Sequence, residues 1–122
     1  MRTVLLQNQT QPLAEPIQTE YCDTFFSLFL GYMFRKPISP YQGLLLVQPS
    51  EDRLNSAIHM FFMNFDLGVI WIDNENLVVD AQYAKRWRPF YQSARPARYV
   101  LETHPNHLKD FKIGQKINFK DH

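Results

Sequence analysis

Leu67-Gly68-Val69-Ile70-Trp71-Ile72, then Asp73-Asn74-Glu75-Asn76, then Leu77-Val78-Val79 is the stretch whose reading decides the fold. Two apolar, β-branched runs bracket four turn-forming residues. Both asparagines tolerate the positive φ that tight hairpin turns require. A β-hairpin is therefore expected here, the strongest hairpin signal in the chain.

Downstream of the hairpin, residues 84–96 carry Pro89 and Pro96 and no hydrophobic period, which reads as a long ordered loop. Such loops in compact domains are more often functional than idle. Ala97 to Glu102 alternates like a strand, a short helical turn is expected near Pro105, and Lys116 to Phe119 closes the chain as a strand.

Upstream, residues 57–63 read as a strand with apolar residues on both parities, Ile58, Met60 and Phe62 against His59, Phe61 and Met63. Pro49 to Arg53 is a polar turn, and Gly43-Leu44-Leu45-Leu46-Val47 is a strand buried on both faces. Asp23-Thr24 can cap a helix over Thr24 to Met33, in which Phe25, Leu28, Phe29 and Tyr32 share one face. Phe26 and Leu30 lie off that face, so the helix is either buried on several sides or covered by a partner or membrane surface. Thr3 to Asn8 and Leu13 to Tyr21 flank a polar link ending in Pro12 and read as two strands. The sum is seven or eight short strands, one helix and one helical turn. That is a mainly β (α+β) fold, expected as a small closed barrel or sandwich with one packed helix.

Composition is consistent with this. A chain of 122 residues makes one domain spanning 1–122 and can bury a core without staples. Its 45% apolar content and net charge of +1 exclude a disordered or highly charged chain. The single cysteine, Cys22, cannot form an intrachain disulfide, so the fold needs no oxidising compartment and a cytoplasmic location is expected. The N-terminus offers only Val4-Leu5-Leu6 as an apolar run, too short for a secretory signal. The apolar stretch Phe25 to Phe34 is about half the ~20 residues that span a bilayer, so no membrane span is expected.

Asp23-Thr24-Phe25-Phe26, Gly31-Tyr32-Met33-Phe34-Arg35, Gly43-Leu44-Leu45-Leu46, Ile58-His59-Met60-Phe61-Phe62-Met63, Val69-Ile70-Trp71-Ile72-Asp73, Arg86-Trp87-Arg88-Pro89, Tyr99-Val100-Leu101-Glu102 and Ile113-Gly114 occur in a recognisable order. In that order the sequence resembles the uncharacterised domain-of-unknown-function 192 family over nearly its whole length. The resemblance implies a small, mainly β, prokaryotic single domain with no established activity, cofactor or catalytic residue to carry over. Three departures stand out. Where similar sequences read Met-x-x-Pro-Leu-Asp, this chain has Met63-Asn64-Phe65-Asp66-Leu67-Gly68, so the usual aspartate falls on Gly68. The glycine that follows the Leu-Glu motif in the family is Asn106 here, a swap explained if the position is left-handed. Phe29 and Leu30 stand where relatives carry arginines, which strengthens the expectation of an apolar contact surface.

Candidate chemistry concentrates in one segment. Residues 81–101 hold Lys85, Arg86, Arg88, Arg95 and Arg98 and no acid, a local charge of +5. Tyr83, Trp87, Phe90, Tyr91 and Tyr99 are interleaved with them. Arginine forks beside stacking rings suit phosphate, carboxylate and single-stranded nucleic-acid sites. The competing reading anchors the rings in the core and leaves the arginines in water. One such loop is a small footprint beside whole-domain basic proteins, so nucleic acid is not the expected partner.

Other residues carry weaker signals. His59 lies mid-strand and has the chemistry of a proton shuttle, though a lone histidine there is more often structural. His104 and His107 could share a metal if their turn is helical, but the third and fourth ligands of a zinc site are missing, so no metal is expected. Cys22 has no base partner specified by the sequence, and no nucleophile elbow, phosphate loop or dinucleotide fingerprint occurs. Glu102 is the best general-base candidate, with an ion pair to Arg88 as the competing role.

The leading expectation is a non-catalytic binding or protein-interaction module without a cofactor. It would use the aromatic and basic loop 84–98, with Arg86, Trp87, Arg88 and Arg98, and the apolar helix 24–33, with Phe26, Phe29 and Leu30, for a protein partner or self-association. The alternative is a small-ligand-binding domain or enzyme with a polar pocket around His59, Asn64, Arg88 and Glu102.

Overall fold

The computed structural model describes residues 2–23, 39–60, 63–88 and 90–122. The predicted helix, with Phe26, Phe29 and Leu30, lies outside the described residues. The described chain runs β1 (Thr3–Asn8), β2 (Ile17–Cys22), β3 (Gln42–Asp52), β4 (Leu67–Ile72), β5 (Val78–Ala84), β6 (Ala97–Thr103), a 3-10 turn η1 (Pro105–Asp110) and β7 (Ile117–Asp121). All seven strands form one sheet in the order β5-β4-β6-β3-β2-β1-β7. Every neighbouring pair is antiparallel except β2 and β3. A parallel pair requires a long crossover, and the connection from Cys22 to Gln42 supplies the length.

The adjacent strands β4, β6 and β3 carry the continuous apolar runs, and their alternate residues build two cores. Leu45 and Val47, Ile70 and Ile72, and Leu101 point to one face, where they meet Val4, Leu6, Ile17, Val78 and Ile117. Every strand contributes to this cluster, so the sheet curls around it. Leu44 and Leu46, Val69 and Trp71, and Val100 point to the other face, against Ile58, Met60 and Met63 from the segment before β4. β4 is buried at all six positions, which accounts for its lack of polar alternation.

The fold is mainly β as expected, but the sheet does not close into a barrel. Its outer strands meet only at one end. Leu77 and Lys116 form an isolated bridge, Val78 N–H donates to the Gln115 carbonyl (2.9 Å), and Ile117 N–H donates to that of Asn76 (2.8 Å). Fully buried Asn8 braces this end. Its amide donates to the Asp110 carbonyl (2.9 Å) and Gln115 Oε1 (2.7 Å), and its Oδ1 accepts from the Thr10 and Gln11 N–H groups.

The hairpin between β4 and β5 turns at Asn76, which takes the expected positive φ of 65°. Asp73 Oδ1 receives the N–H groups of Glu75 and Leu77. Residues 57–63 depart from the strand expected there. Of these, the described residues 57–60 and 63 make a single bridge, Ile58 to Tyr91, because Ile58, Met60 and Met63 pack on the second core instead of extending the sheet. β3 runs on through the expected polar turn to Asp52, with a register shift after Val47. Asn106 is not left-handed; it sits inside η1 and donates its N–H to His104 Nδ1 at 3.1 Å.

Candidate functional site

The basic loop leaves β5 at Ala84 and is fixed on both sides by hydrogen bonds to segments that the sequence pattern does not link to it. Ile58 and Tyr91 exchange both backbone bonds at 2.9 Å. Trp87 N–H donates to the Met60 carbonyl (2.8 Å), and Met60 N–H donates to that of Arg88 (2.9 Å). Tyr91 Oη accepts the Lys85 N–H at 2.8 Å. Farther along, Asp80 Oδ2 accepts the Ala94 N–H and the Gln82 amide, both at 2.9 Å. Arg53 Nε donates to the Ser93 carbonyl at 3.1 Å.

Asp66 holds the start of the loop. Its Oδ2 accepts from Tyr83 Oη at 2.6 Å and its Oδ1 accepts the Arg86 N–H at 2.8 Å. The Tyr83 bond foremost, then the Arg86 N–H and the nearby Arg86 and Lys85 charges, hold the Asp66 carboxyl below its ordinary value. The same bond holds the Tyr83 phenol above its own. Asp66 and Asp80 therefore bring anionic charge to a segment that is purely cationic in sequence. Asp66 gave no recognisable signal on its own, since it falls where relatives place a proline.

These constraints leave large rings in water. Trp87 is 52% exposed, Phe90 54% and Tyr83 52%; Lys85, Arg86 and Arg88 are exposed beside them. Trp87 adopts φ 67°, which is an outlier for a bulky residue and costs on the order of 1–3 kcal/mol. The reading in which these rings anchor the loop in the core fails for Trp87 and Phe90. It holds for half-buried Tyr91, which packs on the second core.

Arg98 Nε donates to the Gln48 carbonyl at 3.0 Å. Glu102 is buried on β6 between Leu44 and Val69, facing the second core. Asn64 is exposed, and His59 is half-buried between Ile58 and Met60. Among the described residues no ion pair joins Glu102 to Arg88. His107 uses Nδ1 on Asp110 Oδ2 (3.0 Å) and Nε2 on the Pro40 carbonyl, while His104 Nδ1 caps η1. Both histidines thus serve the turn. Gly68 is confined by that turn as well. A Cβ there would lie 3.2 Å from the His104 carbonyl oxygen and 3.2 Å from Leu108 Cγ, so an aspartate would crowd η1. Among the described residues no helix is long and apolar enough to cross a membrane.

The family model for domain of unknown function 192, described as Uncharacterized ACR, matches residues 5–119. A UPF0127 protein of Pyrococcus horikoshii is 35% identical over 118 residues, covering 94% of this chain and 98% of that protein. UPF0127 proteins of Thermococcus gammatolerans and Thermococcus kodakarensis are 41% and 39% identical over 98 residues, 80% of this chain. The matched stretch covers 62% and 60% of those two proteins, less than two thirds of their length. A solved structure of a protein of unknown function from Novosphingobium aromaticivorans aligns with a TM-score of 0.78 at 18% identity, covering 95% of this chain and 83% of that one. A candidate transcription regulator from Sinorhizobium meliloti aligns at 0.82 and 16% identity, covering 97% and 92%. At these identities the likeness is one of fold alone.

Proposed function

The chain belongs to the domain-of-unknown-function 192 family, and from that premise we propose that this member is a non-catalytic, cytoplasmic binding module of one domain that captures a protein partner on its loop 84–98. One observation carries the reading. Trp87 is held at a costly φ of 67° by its bond to the Met60 carbonyl, yet half of its surface faces water. Strain of this kind persists only where the surroundings enforce it, and it clusters at binding and active sites. An exposed tryptophan flanked by Phe90, Arg86 and Arg88 has the composition of an interface hot spot, in which aromatic and arginine side chains carry most of the affinity. The loop is fixed before binding, so little ordering entropy is lost on association. The partner segment that fits is apolar and acidic.

A random peptide library displayed on phage and selected on the intact protein tests this reading. Recovered peptides should be enriched in Asp, Glu and aromatic residues. They should lose at least about tenfold in affinity for a Trp87→Ala/Phe90→Ala variant, the cost of about 1.4 kcal/mol at a hot spot. Peptides that bind both proteins equally would overturn it.

A further inference from the structure

The other face of the sheet carries a second site. Between β1, β2, β6 and β7 lies an open pocket of about 210 Å³. Its floor is Val4 and Leu45, and its walls are the rings of Tyr21, Tyr99 and Phe119. Tyr99 and Phe119 stand 4.9 Å apart, tilted by 44°. The rim holds Arg2 and Asp121. Drug-sized sites occupy roughly 300–1,000 Å³, so this pocket takes a small molecule or one side-chain head group.

The chemistry of the walls favours positive charge. Aromatic faces carry the negative lobe of the ring quadrupole and attract ammonium and guanidinium ions. Two guanidiniums of the chain already use these rings. Arg2 Cζ lies 4.4 Å from the centroid of Tyr21, and Arg98 Cζ lies 5.4 Å from that of Tyr99. Asp121 supplies the counter-charge, accepting from Arg2 Nε at 2.9 Å and lying 2.8 Å from its second nitrogen. Arg2 and Asp121 are both exposed, so the pair is weak and exchangeable in water. The three rings and the carboxylate thus line a pocket whose rim cation, Arg2, is a movable side chain of the same protein already seated on the Tyr21 face.

We propose that this pocket binds a small organic cation, an alkylated ammonium or a guanidinium, and that Arg2 is its internal competitor. The incoming ion takes the Tyr21 face and the Asp121 carboxylate, and Arg2 swings into solvent. Affinity is modest in the native chain because the ion must displace Arg2.

NMR titration of the intact, isotopically labelled protein with tetramethylammonium and N-methylguanidinium chloride provides the test, with sodium chloride as the ionic-strength control. In Arg2→Ala, saturable shifts are expected at Tyr21, Tyr99 and Phe119, with affinity about tenfold above the native chain, the scale of one cation–π contact freed from competition. Asp121→Asn should remove binding, and Phe119→Leu in the Arg2→Ala background should weaken it several-fold. A trimethyllysine peptide distinguishes the source. Tighter binding than the free ion assigns the site to a partner's side chain, and equal binding assigns it to a free amine; both support the cation cage. The proposal is overturned if Arg2→Ala responds no more to these ions than to sodium chloride. It is also overturned if benzoate or phosphate binds instead and is lost with Arg2.

Discussion

The two tryptophans of this chain occupy opposite physical regimes. Trp71, on inner strand β4, is fully buried, packs in the second core and donates Nε1–H to the Ser56 carbonyl at 2.8 Å. Trp87 sits in a loop with half its surface in water and a backbone conformation that opposes its side chain. A large ring stabilises a fold through the area it buries. Trp71 does this, and Trp87 is held away from doing it. The comparison separates residues that hold the fold from residues that the fold holds out.

The strongest way to break the comparison is at Trp71. Trp71→Ala should destabilise the protein by about 3–5 kcal/mol, through lost burial, a cavity and an unpaired Ser56 carbonyl, as read by urea unfolding. Gly68→Asp, which restores the residue usual in relatives, should cost about 1–3 kcal/mol. The new Cβ meets the His104 carbonyl and Leu108, and overpacking of this order is its usual consequence. A value near zero would mean that η1 shifts to admit the side chain.

Smaller effects sharpen the contrast at the loop. Asp66 has its folded pKa depressed, so the stability it contributes is present above the unfolded value of about 3.9 and is lost as pH falls through the lower folded one. The protection of the Arg86 amide, its exchange relative to an unstructured chain at the same pH, should therefore fall in acid below about pH 4. Asp66→Asn should abolish that acid step and bring Tyr83 ionisation back toward the ordinary tyrosine range, as followed by ultraviolet titration. The smallest effect belongs to Trp87. Trp87→Gly relieves the positive φ while adding freedom to the unfolded chain; the two oppose each other, and stability should change by no more than about 1 kcal/mol. Peptide binding should nevertheless be lost.

What was legible in the sequence follows the same division. β1 and β4 match their expected ranges residue for residue, because apolar runs bounded by turn residues encode strands locally. The Asn76 turn was legible for the same reason. β2 begins at Ile17, later than expected, just after Pro16. The strand expected over residues 57–63 does not form among the described residues, because a doubly apolar run can equally lie flat across a core. The loop was recognisable by its prolines and charge, but its conformation was not. Its restraints come from Asp66, Met60, Asp80 and Arg53, distant partners that no period marks. The cation cage was illegible for the same reason. Tyr21, Tyr99, Phe119 and Asp121 come from three strands, Arg2 immediately precedes a fourth, and they meet only through sheet order.

The most direct test of the account is native-state hydrogen exchange at two amides, Trp87 and Met60, followed by NMR at neutral pH. Each donates across the loop, to the Met60 and Arg88 carbonyls respectively. If the loop is a fixed platform for an exposed ring, both amides exchange far more slowly than an unstructured chain and share one opening free energy. Exchange at unprotected rates would contradict it, since Trp87 would then be exposed because the loop is loose and not because the fold presents it.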